Sequence, residues 1–187
     1  ANIALLNYED GFKAYILATA NLKVGDIVVS STKAPIREGN RMPLKNIPVG
    51  TPINSLEFQP GRGAQIVKSA GSAAFIQSID VNKVTVKLPS GELRLFPGDA
   101  CATIGQISNV EHSNIKLVKA GDSRHRGIRP TVRGVAQNPH SHPHGGGEGR
   151  SSIGMNPKTP WGKVAMGKKT RKQKKASNKL IVQRRKK

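Results

Sequence analysis

Short apolar runs separated by turn-forming residues predict β structure in the first part of the chain. Apolar stretches at 3–8 and 14–18 flank a Glu-Asp-Gly-Phe segment, whose Asp-Gly pair suits a hairpin turn because such turns need positive φ. Further strands are predicted at 26–30 and 51–58, on either side of a proline-containing loop at 33–48. Antiparallel strands of this length close most economically into a small barrel, since closure removes exposed edges.

A second set of strands follows a Gln-Pro-Gly-Arg-Gly linker at 59–63. In residues 83–88 apolar side chains alternate with Thr and Lys, which is the pattern of a half-buried strand. Strands are also predicted at 73–80, 92–96 and 102–107, and together they could close a second barrel of SH3-like size. The first part of the chain is therefore predicted to be mainly β.

The strand pattern ends after residue 114. Residues 115–120 are predicted to form about one helical turn, which Gly121 ends, and no sustained periodicity follows. The backbone beyond it is expected to satisfy its hydrogen bonds with water or RNA, because it has no packed core of its own. The predicted division is into two barrel regions, 1–58 and 59–114, and an extended arm, 115–187.

Charge divides the chain at the same place. The 187 residues carry 31 Lys and Arg against 11 Asp and Glu, a formal net charge of +20. The arm holds 20 of these cations and 2 of the anions, with 10 glycines and 5 prolines. This charge favours a polyanionic partner, nucleic acid before a membrane surface, since the glycines and prolines argue against an amphipathic basic helix.

Two other observations narrow the class of protein. No apolar run approaches the roughly 18 residues needed to cross a bilayer, so no membrane partner is expected. Cys101 is the single cysteine, which excludes an intrachain disulfide and gives no indication of secretion.

Two segments of the arm have the chemistry of phosphate binding. Residues 124–134 place arginines among Gly and Pro, and the planar guanidinium can grip phosphate or stack on a base. Residues 168–187 carry 11 basic side chains and no acidic one, a block that gains order by neutralising phosphates. The alternatives are a solvated basic loop for the first segment and a nuclear-localisation signal for the second.

The most specific segment is 138–150, Asn-Pro-His-Ser-His-Pro-His-Gly-Gly-Gly-Glu-Gly-Arg. A closed zinc site wants four ligands, and beyond the three histidines only the isolated Cys101 is of the right class. A Ser-His nucleophile needs an orienting acid and an oxyanion hole on a rigid scaffold, which a glycine run supports poorly. The favoured interpretation is a tight loop whose amides and imidazoles hydrogen-bond RNA. We therefore expect no metal, no catalytic residue and no cofactor, with Mg²⁺ only as a counterion of the RNA.

Trp161, the one tryptophan, either stacks on a base or caps the barrel; these two interpretations stay open. The residues predicted to contact RNA are Arg124, Arg126, Arg129, Arg133, His140, His142, His144, Gly145, Gly146, Gly147, Arg150, Trp161, Lys168, Lys169, Arg171, Lys172, Arg184 and Arg185.

Several of these motifs resemble a known family. The strings at 129–134 (Arg-Pro-Thr-Val-Arg-Gly), 142–150, 160–162 (Pro-Trp-Gly) and 167–171 (Gly-Lys-Lys-Thr-Arg) resemble the bacterial-type universal ribosomal protein two of the large subunit, the L-two family. The resemblance covers essentially the whole chain. It implies an OB-like barrel, incomplete at its N-terminal side, then an SH3-like barrel and an extended basic C-terminal arm.

The resemblance also implies a function. A member of this family is a structural protein and not an enzyme; it binds large-subunit (23S-type) rRNA beside neighbouring ribosomal proteins, helps the small subunit associate and supports the peptidyl-transferase region. The family's histidine near that region falls on His142. Family members usually have Val-Asp before it, whereas this chain has His140-Ser141, so the imidazole loses an acidic partner and we expect positioning in place of proton transfer.

The start of the chain differs from the family, whose members have a further N-terminal extension and the beginning of the OB-like barrel. The chain opens on Ala-Asn-Ile and enters an apolar stretch, which favours a cut over simple removal of an initiator Met. Three explanations stay open: the missing portion is not represented here, has been removed, or is supplied as a separate N-terminal fragment.

The compartment and two rival functions also stay open. A bacterial-type ribosome occurs in bacterial cytoplasm, plastids and mitochondria, and the start of the chain together with His140-Ser141 favours a mitochondrion. The rivals are a free nucleic-acid-binding regulatory protein and an RNA-acting enzyme that uses the histidine cluster as general acid and base.

Overall fold

The computed structural model describes residues 1–185 and is mainly β. Within that range one short helix, α1, spans Ala120–His125, and single 3₁₀ turns occur at Leu44–Asn46, Val110–Asn114, Gly134–Ala136 and Ala176–Leu180. The strands are β1 (Ile3–Asn7), β2 (Lys13–Leu17), β3 (Arg41–Pro43), β4 (Pro52–Asn54), β5 (Ala74–Ile79), β6 (Lys83–Lys87), β7 (Leu93–Pro97), β8 (Cys101–Ile104) and β9 (Ile181–Gln183).

The first two strands form an antiparallel hairpin, as predicted. Its turn uses Gly11 at φ 82°, a conformation that glycine adopts without steric cost. The hairpin is joined to the rest of its unit by backbone pairing of Thr19 with Ile107 and by the Ser108 amide, which donates to Ala18 at 3.0 Å.

The larger sheet has the antiparallel order β3-β8-β4-β5-β6-β7-β9. On β6 the side chains of Val84 and Val86 are fully buried, as the alternating pattern predicts. Thr85, which pairs with Ser78 and Leu95 on the flanking strands, is also buried, so β6 is buried more completely than the half-buried pattern predicts. The apolar core of the described residues comprises Met42, Leu44, Ile47, Ile53, Leu56, Val67, Ala74, Ile76, Val84, Val86, Phe96, Ala100, Ala102 and Ile104.

The predicted strand at 26–30 is wrong. Only Ser30 makes a β-bridge, to Arg41, and the Val29 carbonyl accepts the Arg41 amide at 2.9 Å. The rest of the segment lacks ladder pairing because it begins in a turn at Asp26 and because the Val29 amide is bonded to a side chain. Asp26 accepts the Lys23 amide at 2.7 Å, and the Val29 amide donates to Asn40 at 2.8 Å. The strand that pairs with β8 is instead β3, which lies in the segment predicted to be a loop. Its Met42 side chain is buried.

Two other boundaries differ from the prediction. The strand expected at 51–58 is shortened to β4, because Ser55 takes a positive φ of 49° and turns the chain. The helical turn expected at 115–120 is also wrong: α1 begins at Ala120, with Gly121 inside it. The helix starts there because the Asp122 carboxylate accepts the Lys119 amide at its N-terminus.

The described chain divides into two compact units. The first unit comprises residues 1–115 and the C-terminal segment from Ala176; the second unit comprises residues 116–175. In the first unit β9 pairs with β7, and in the second unit the segment 137–146 forms hydrogen bonds within its own backbone. The expectation that the backbone of the arm uses water or RNA is therefore wrong for these two segments. The three-part division of the sequence stays a prediction.

The two antiparallel sheets confirm the predicted mainly β fold, and they are consistent with an OB-like portion followed by an SH3-like barrel. In the part of the chain that the structure describes, no helix has the length and apolar character required to cross a membrane.

Candidate nucleic-acid interface

The second unit is organised without an apolar core. Its one buried side chain among the described residues is that of His142, which is 7% exposed. Since a buried polar group needs a hydrogen-bond partner, the loop around this histidine has to be held by polar contacts. The unit therefore presents most of its surface, including its cations, outward.

The predicted RNA-binding cations are exposed. Arg124 lies in α1, and Arg126 directly follows the helix, where the Gly127 amide donates to Arg124 at 3.0 Å. The other exposed cations of the second unit that were predicted are Arg129, Arg133, Arg150, Lys168, Lys169, Arg171 and Lys172.

The end of the predicted basic block belongs to the first unit. Arg184 and Arg185 are exposed directly after β9, whose pairing with β7 places them at the edge of the larger sheet. Lys186 and Lys187 lie outside the described residues. The block is thus divided between the two units, which its uniform composition did not indicate.

The glycine-histidine loop is closed by backbone hydrogen bonds. The carbonyl of Asn138 accepts the amides of Ser141 at 2.8 Å and His142 at 3.1 Å. Further along, the Gly145 amide donates to His142 at 2.9 Å, and the Gly146 amide donates to Gln137 at 3.2 Å. The loop returns on itself before any partner is bound.

The predicted glycines allow this close return. A Cβ on Gly145 would lie 2.5 Å from the carbonyl carbon of Asn138 and 2.6 Å from the Gln137 oxygen. Gly146 has a φ of +84°, and a Cβ there would lie 2.7 Å from the Pro139 ring. Gly147 also has a positive φ and faces Ser151. Side chains at these positions would collide with the loop itself.

Two of the three predicted histidines come together, and His140 stays exposed apart from them. The rings of His142 and His144 have centroids 4.8 Å apart and an interplanar angle of 56°. Nδ1 of His142 accepts the His144 amide at 3.0 Å, and Nε2 of His144 accepts the Lys158 amide at 3.0 Å. The imidazoles therefore tie the loop to itself and to the segment that follows.

The geometry of this cluster gives little support to the two alternatives, a Ser-His nucleophile and a metal site. Nδ1 of His142 is engaged by a backbone amide, so it is not available to take a proton from Ser141. Among residues 1–185, no three His, Cys, Asp or Glu side chains are grouped in a way that could hold a metal ion. The expected absence of a metal stays a prediction.

Trp161 lies at the tip of a short turn that the sequence analysis did not identify. The Thr159 amide donates to Lys163 at 2.7 Å, and Lys158 pairs with Val164. Pro160 and Gly162 flank the tryptophan, and a Pro in the second position of such a tetrapeptide is a turn signal that could have located it. The Trp161 side chain is 82% exposed, so its ring faces are available for stacking.

Two protein families match most of the chain. The family described as Ribosomal Proteins L2, RNA binding N-terminal domain, matches residues 1–30. The family described as Ribosomal Proteins L2, C-terminal domain, matches residues 37–162, which is more than half of the chain and includes the histidine loop and Trp161. The chain therefore belongs to the ribosomal protein L2 family, structural proteins of the ribosome that bind rRNA in the large subunit.

Proposed function

We propose that the exposed cations of residues 116–175, the histidine loop and Trp161 form the principal rRNA-binding surface of this chain, and that Arg184 and Arg185 of the first unit also contact rRNA. The observation that carries the proposal is the charge: the arm from residue 115 holds 20 basic and 2 acidic residues, and its described cations are mostly exposed. Each phosphate that such a side chain neutralises releases a counterion, which makes binding weaken steeply with salt. Mg²⁺ has no protein site in this proposal and acts only as a counterion of the RNA.

Within this surface, Trp161 is proposed to stack on an unpaired base. Its turn is held by the Thr159–Lys163 hydrogen bond, so the exposed ring is presented from a fixed backbone. A stacking contact of this kind contributes about 1–3 kcal/mol. The exposed arginines at 124, 126, 129, 133 and 150 contribute phosphate contacts.

The histidine loop is proposed to support the peptidyl-transferase region and the joining of the small subunit by shape, without catalysis. His142 is nearly buried, and one of its nitrogens already holds a backbone amide. Ser141 precedes it where the family has an acid, so no carboxylate is adjacent in sequence to orient the ring. These features favour positioning over proton transfer, and turnover of RNA or peptidyl substrates is not expected.

The β1–β2 hairpin is proposed to receive a further strand from a separate N-terminal fragment of the same protein. One face of the hairpin exposes large apolar side chains: Ile3 is 65%, Leu5 55% and Tyr15 69% exposed. In the described residues the sheet has only these two strands, so each has an unpaired outer edge. A two-stranded sheet is marginal in water, and a further paired strand would stabilise it. No membrane partner is proposed.

The ribosome concerned is proposed to be of bacterial type, with a mitochondrion favoured because of the His140-Ser141 pair. Tagged full-length chain in fractionated cells should co-sediment with the mitochondrial large subunit. Sedimentation with cytosolic subunits alone would contradict the compartment and leave the rRNA-binding proposal intact.

The rRNA-binding proposal is tested by titrating the full-length chain with large-subunit rRNA at several salt concentrations. Trp161 is the one tryptophan, so quenching of its fluorescence reports on this position alone. We expect quenching on binding, together with an affinity that falls steeply as salt rises. Trp161→Leu, read by filter binding, should weaken the complex about tenfold, whereas Trp161→Phe should retain most of the affinity. Binding that is insensitive to salt would contradict the proposal.

A further inference from the structure

The two paired imidazoles of the histidine loop are each held in one tautomer by the backbone. Nδ1 of His142 accepts the His144 amide and Nε2 of His144 accepts the Lys158 amide, each at 3.0 Å. A ring nitrogen that accepts an N–H carries no proton, so each ring is neutral and its proton is on the other nitrogen. His142 is therefore protonated at Nε2, and His144 is protonated at Nδ1.

Neither of these two N–H groups is fully buried within the loop. In the described part of the chain, three buried side-chain atoms lack a hydrogen-bond partner, and neither imidazole supplies one of them. Because the remaining nitrogens of His142 and His144 make no hydrogen bond among residues 1–185, they reach solvent. His142 is only 7% exposed, so only a small part of this residue is accessible from the surface.

The rings are fixed in place by close packing. The space beside the backbone of Gly134 is occupied by the His142 ring, since a Cβ there would lie 2.5 Å from its Cε1 and 2.6 Å from its Nδ1. The ring centroids are 4.8 Å apart, which places the two imidazoles side by side. The pair is thus preorganised, and little conformational entropy is lost when it binds a ligand.

We infer that His142 and His144 form a paired hydrogen-bond donor site for a phosphate oxygen of the RNA backbone. The inference rests on the proposed rRNA binding and specifies its chemistry at this site. The site offers two donors and no acceptor, which matches an oxyanion and excludes those base edges that present a donor at the contact. It also excludes a general-base role for His142, because the nitrogen that reaches the surface already carries its proton.

The closest acid in the sequence is Glu148, which is exposed. Arg150, two residues further along, is also exposed and carries the opposite charge. Neither side chain hydrogen-bonds to His142 or His144, so the donors of this site are the imidazole N–H groups.

Two substitutions separate the internal acceptor of each ring from its outward donor. The Oδ1 atom of an asparagine occupies approximately the place of histidine Nδ1, so His142→Asn keeps an acceptor for the His144 amide and removes the outward N–H. The end of a glutamine side chain reaches as far as Nε2, so His144→Gln keeps an acceptor for the Lys158 amide and removes the other donor. His142→Ala removes both functions, and His112→Asn, at an exposed position outside the arm, is the matched control.

The tautomers are measured by nitrogen NMR of the full-length chain with ¹⁵N-labelled histidine, through couplings to the carbon-bound ring protons. We expect the Nε2–H form for His142 and the Nδ1–H form for His144. A rapidly exchanging tautomer mixture at either ring, or the opposite form, would overturn the inference whether or not the chain binds RNA.

The ligand is tested by binding of large-subunit rRNA to the same variants. His142→Asn and His144→Gln should each weaken binding about tenfold, the effect expected when one hydrogen bond to a charged group is removed, while His112→Asn should leave it unchanged. If wild type binds rRNA and both variants equal it, the donor site is refuted and the proposed function stands; if wild type does not bind, the proposed function itself fails. Ring signals that move with inorganic phosphate but not with rRNA would overturn the assignment to the RNA backbone.

Discussion

Arg41 and Glu57 form an ion pair, with Nη2 of the arginine 2.8 Å from Oε1 of the glutamate, that joins three parts of the larger sheet. The second carboxylate oxygen accepts the amides of Cys101 at 3.1 Å and Gly61 at 3.2 Å. The guanidinium also donates to the carbonyl of Ser55 at 2.9 Å. β3, the first residue of β8 and the chain after β4 therefore depend on one pair of charges.

We expect Arg41→Met to destabilise the first unit by about 3 kcal/mol, because it leaves a buried carboxylate without its cation. Glu57 is 5% exposed, so water cannot replace the arginine. The control is Lys45→Met, which breaks a pair with Asp99 of the same 2.8 Å length whose side chains are 50% and 69% exposed. That loss should be under about 1 kcal/mol. Urea unfolding of the full-length chain measures both, and equal losses would contradict the prediction.

The same carboxylate should give a pH-dependent contribution to stability. Burial alone raises the pKa of Glu57, but the Cys101 amide and the Arg41 guanidinium outweigh it and hold the pKa below its ordinary value of 4.5. A depressed folded-state pKa contributes stability that is present above the unfolded-state pKa and lost as pH falls through the folded-state pKa. The difference in unfolding free energy between wild type and Glu57→Gln should be largest near neutral pH and shrink below pH 4.5. A difference that does not change with pH would show that the carboxylate charge is not responsible.

We expect Gly145→Ala to disrupt the histidine loop, because the added Cβ would lie 2.5 Å from the backbone of Asn138, which cannot rotate away. Overpacking of this kind destabilises the loop conformation by about 1–3 kcal/mol. If the loop must be intact to bind, rRNA affinity should fall roughly tenfold or more. The control is Gly121→Ala in α1, where a Cβ meets nothing within 4 Å; it should stabilise the helix slightly. Hydrogen exchange at the amides of the loop measures the disruption of the loop, and filter binding measures the loss of rRNA affinity. Normal protection in Gly145→Ala would mean that the glycines are only spacers.

Substitutions in the C-terminal segment should distinguish the contribution of packing to stability from the contribution of charge to RNA binding. Ile181 is half-buried opposite Arg94 on β7, so Ile181→Asn should lower the stability of the first unit by about 1 kcal/mol and leave the salt dependence of RNA binding unchanged. Replacing Arg184 and Arg185 by Gln should leave the stability of the first unit unchanged and reduce the salt dependence of RNA binding. The slope of log affinity against log salt should then decrease by about one for each phosphate that is no longer neutralised. A slope that changes with Ile181→Asn would show that β9 places the two arginines on the RNA.

Part of this architecture could be predicted because the determining interactions are local. The alternation at 83–88 identifies β6, since side chains of a strand point to opposite faces in turn. Asp10-Gly11 identifies the first hairpin because its turn needs a positive φ. The arm was recognised from charge and glycine content, properties that need no knowledge of the fold. The specific motifs at 142–150 and 160–162 identified the family, and the family comparison confirms it.

Other features were decided by partners far away in the sequence. Residues 26–30 are apolar enough for a strand, but a turn at Asp26 and the bond of the Val29 amide to the Asn40 side chain limit them to one β-bridge. Ile181–Gln183, within a basic block, instead pairs with the open edge of β7. The buried position of His142 and the direction of its proton likewise depend on the backbone of Gly134 and His144. By itself, the sequence determined the class of fold, the charged arm and the family, because periodicity, composition and motif are properties of neighbouring residues. Only the tertiary structure decided which strand fills an edge and which nitrogen faces outward, because hydrogen bonds are short and directional and depend on the atoms that folding brings within reach.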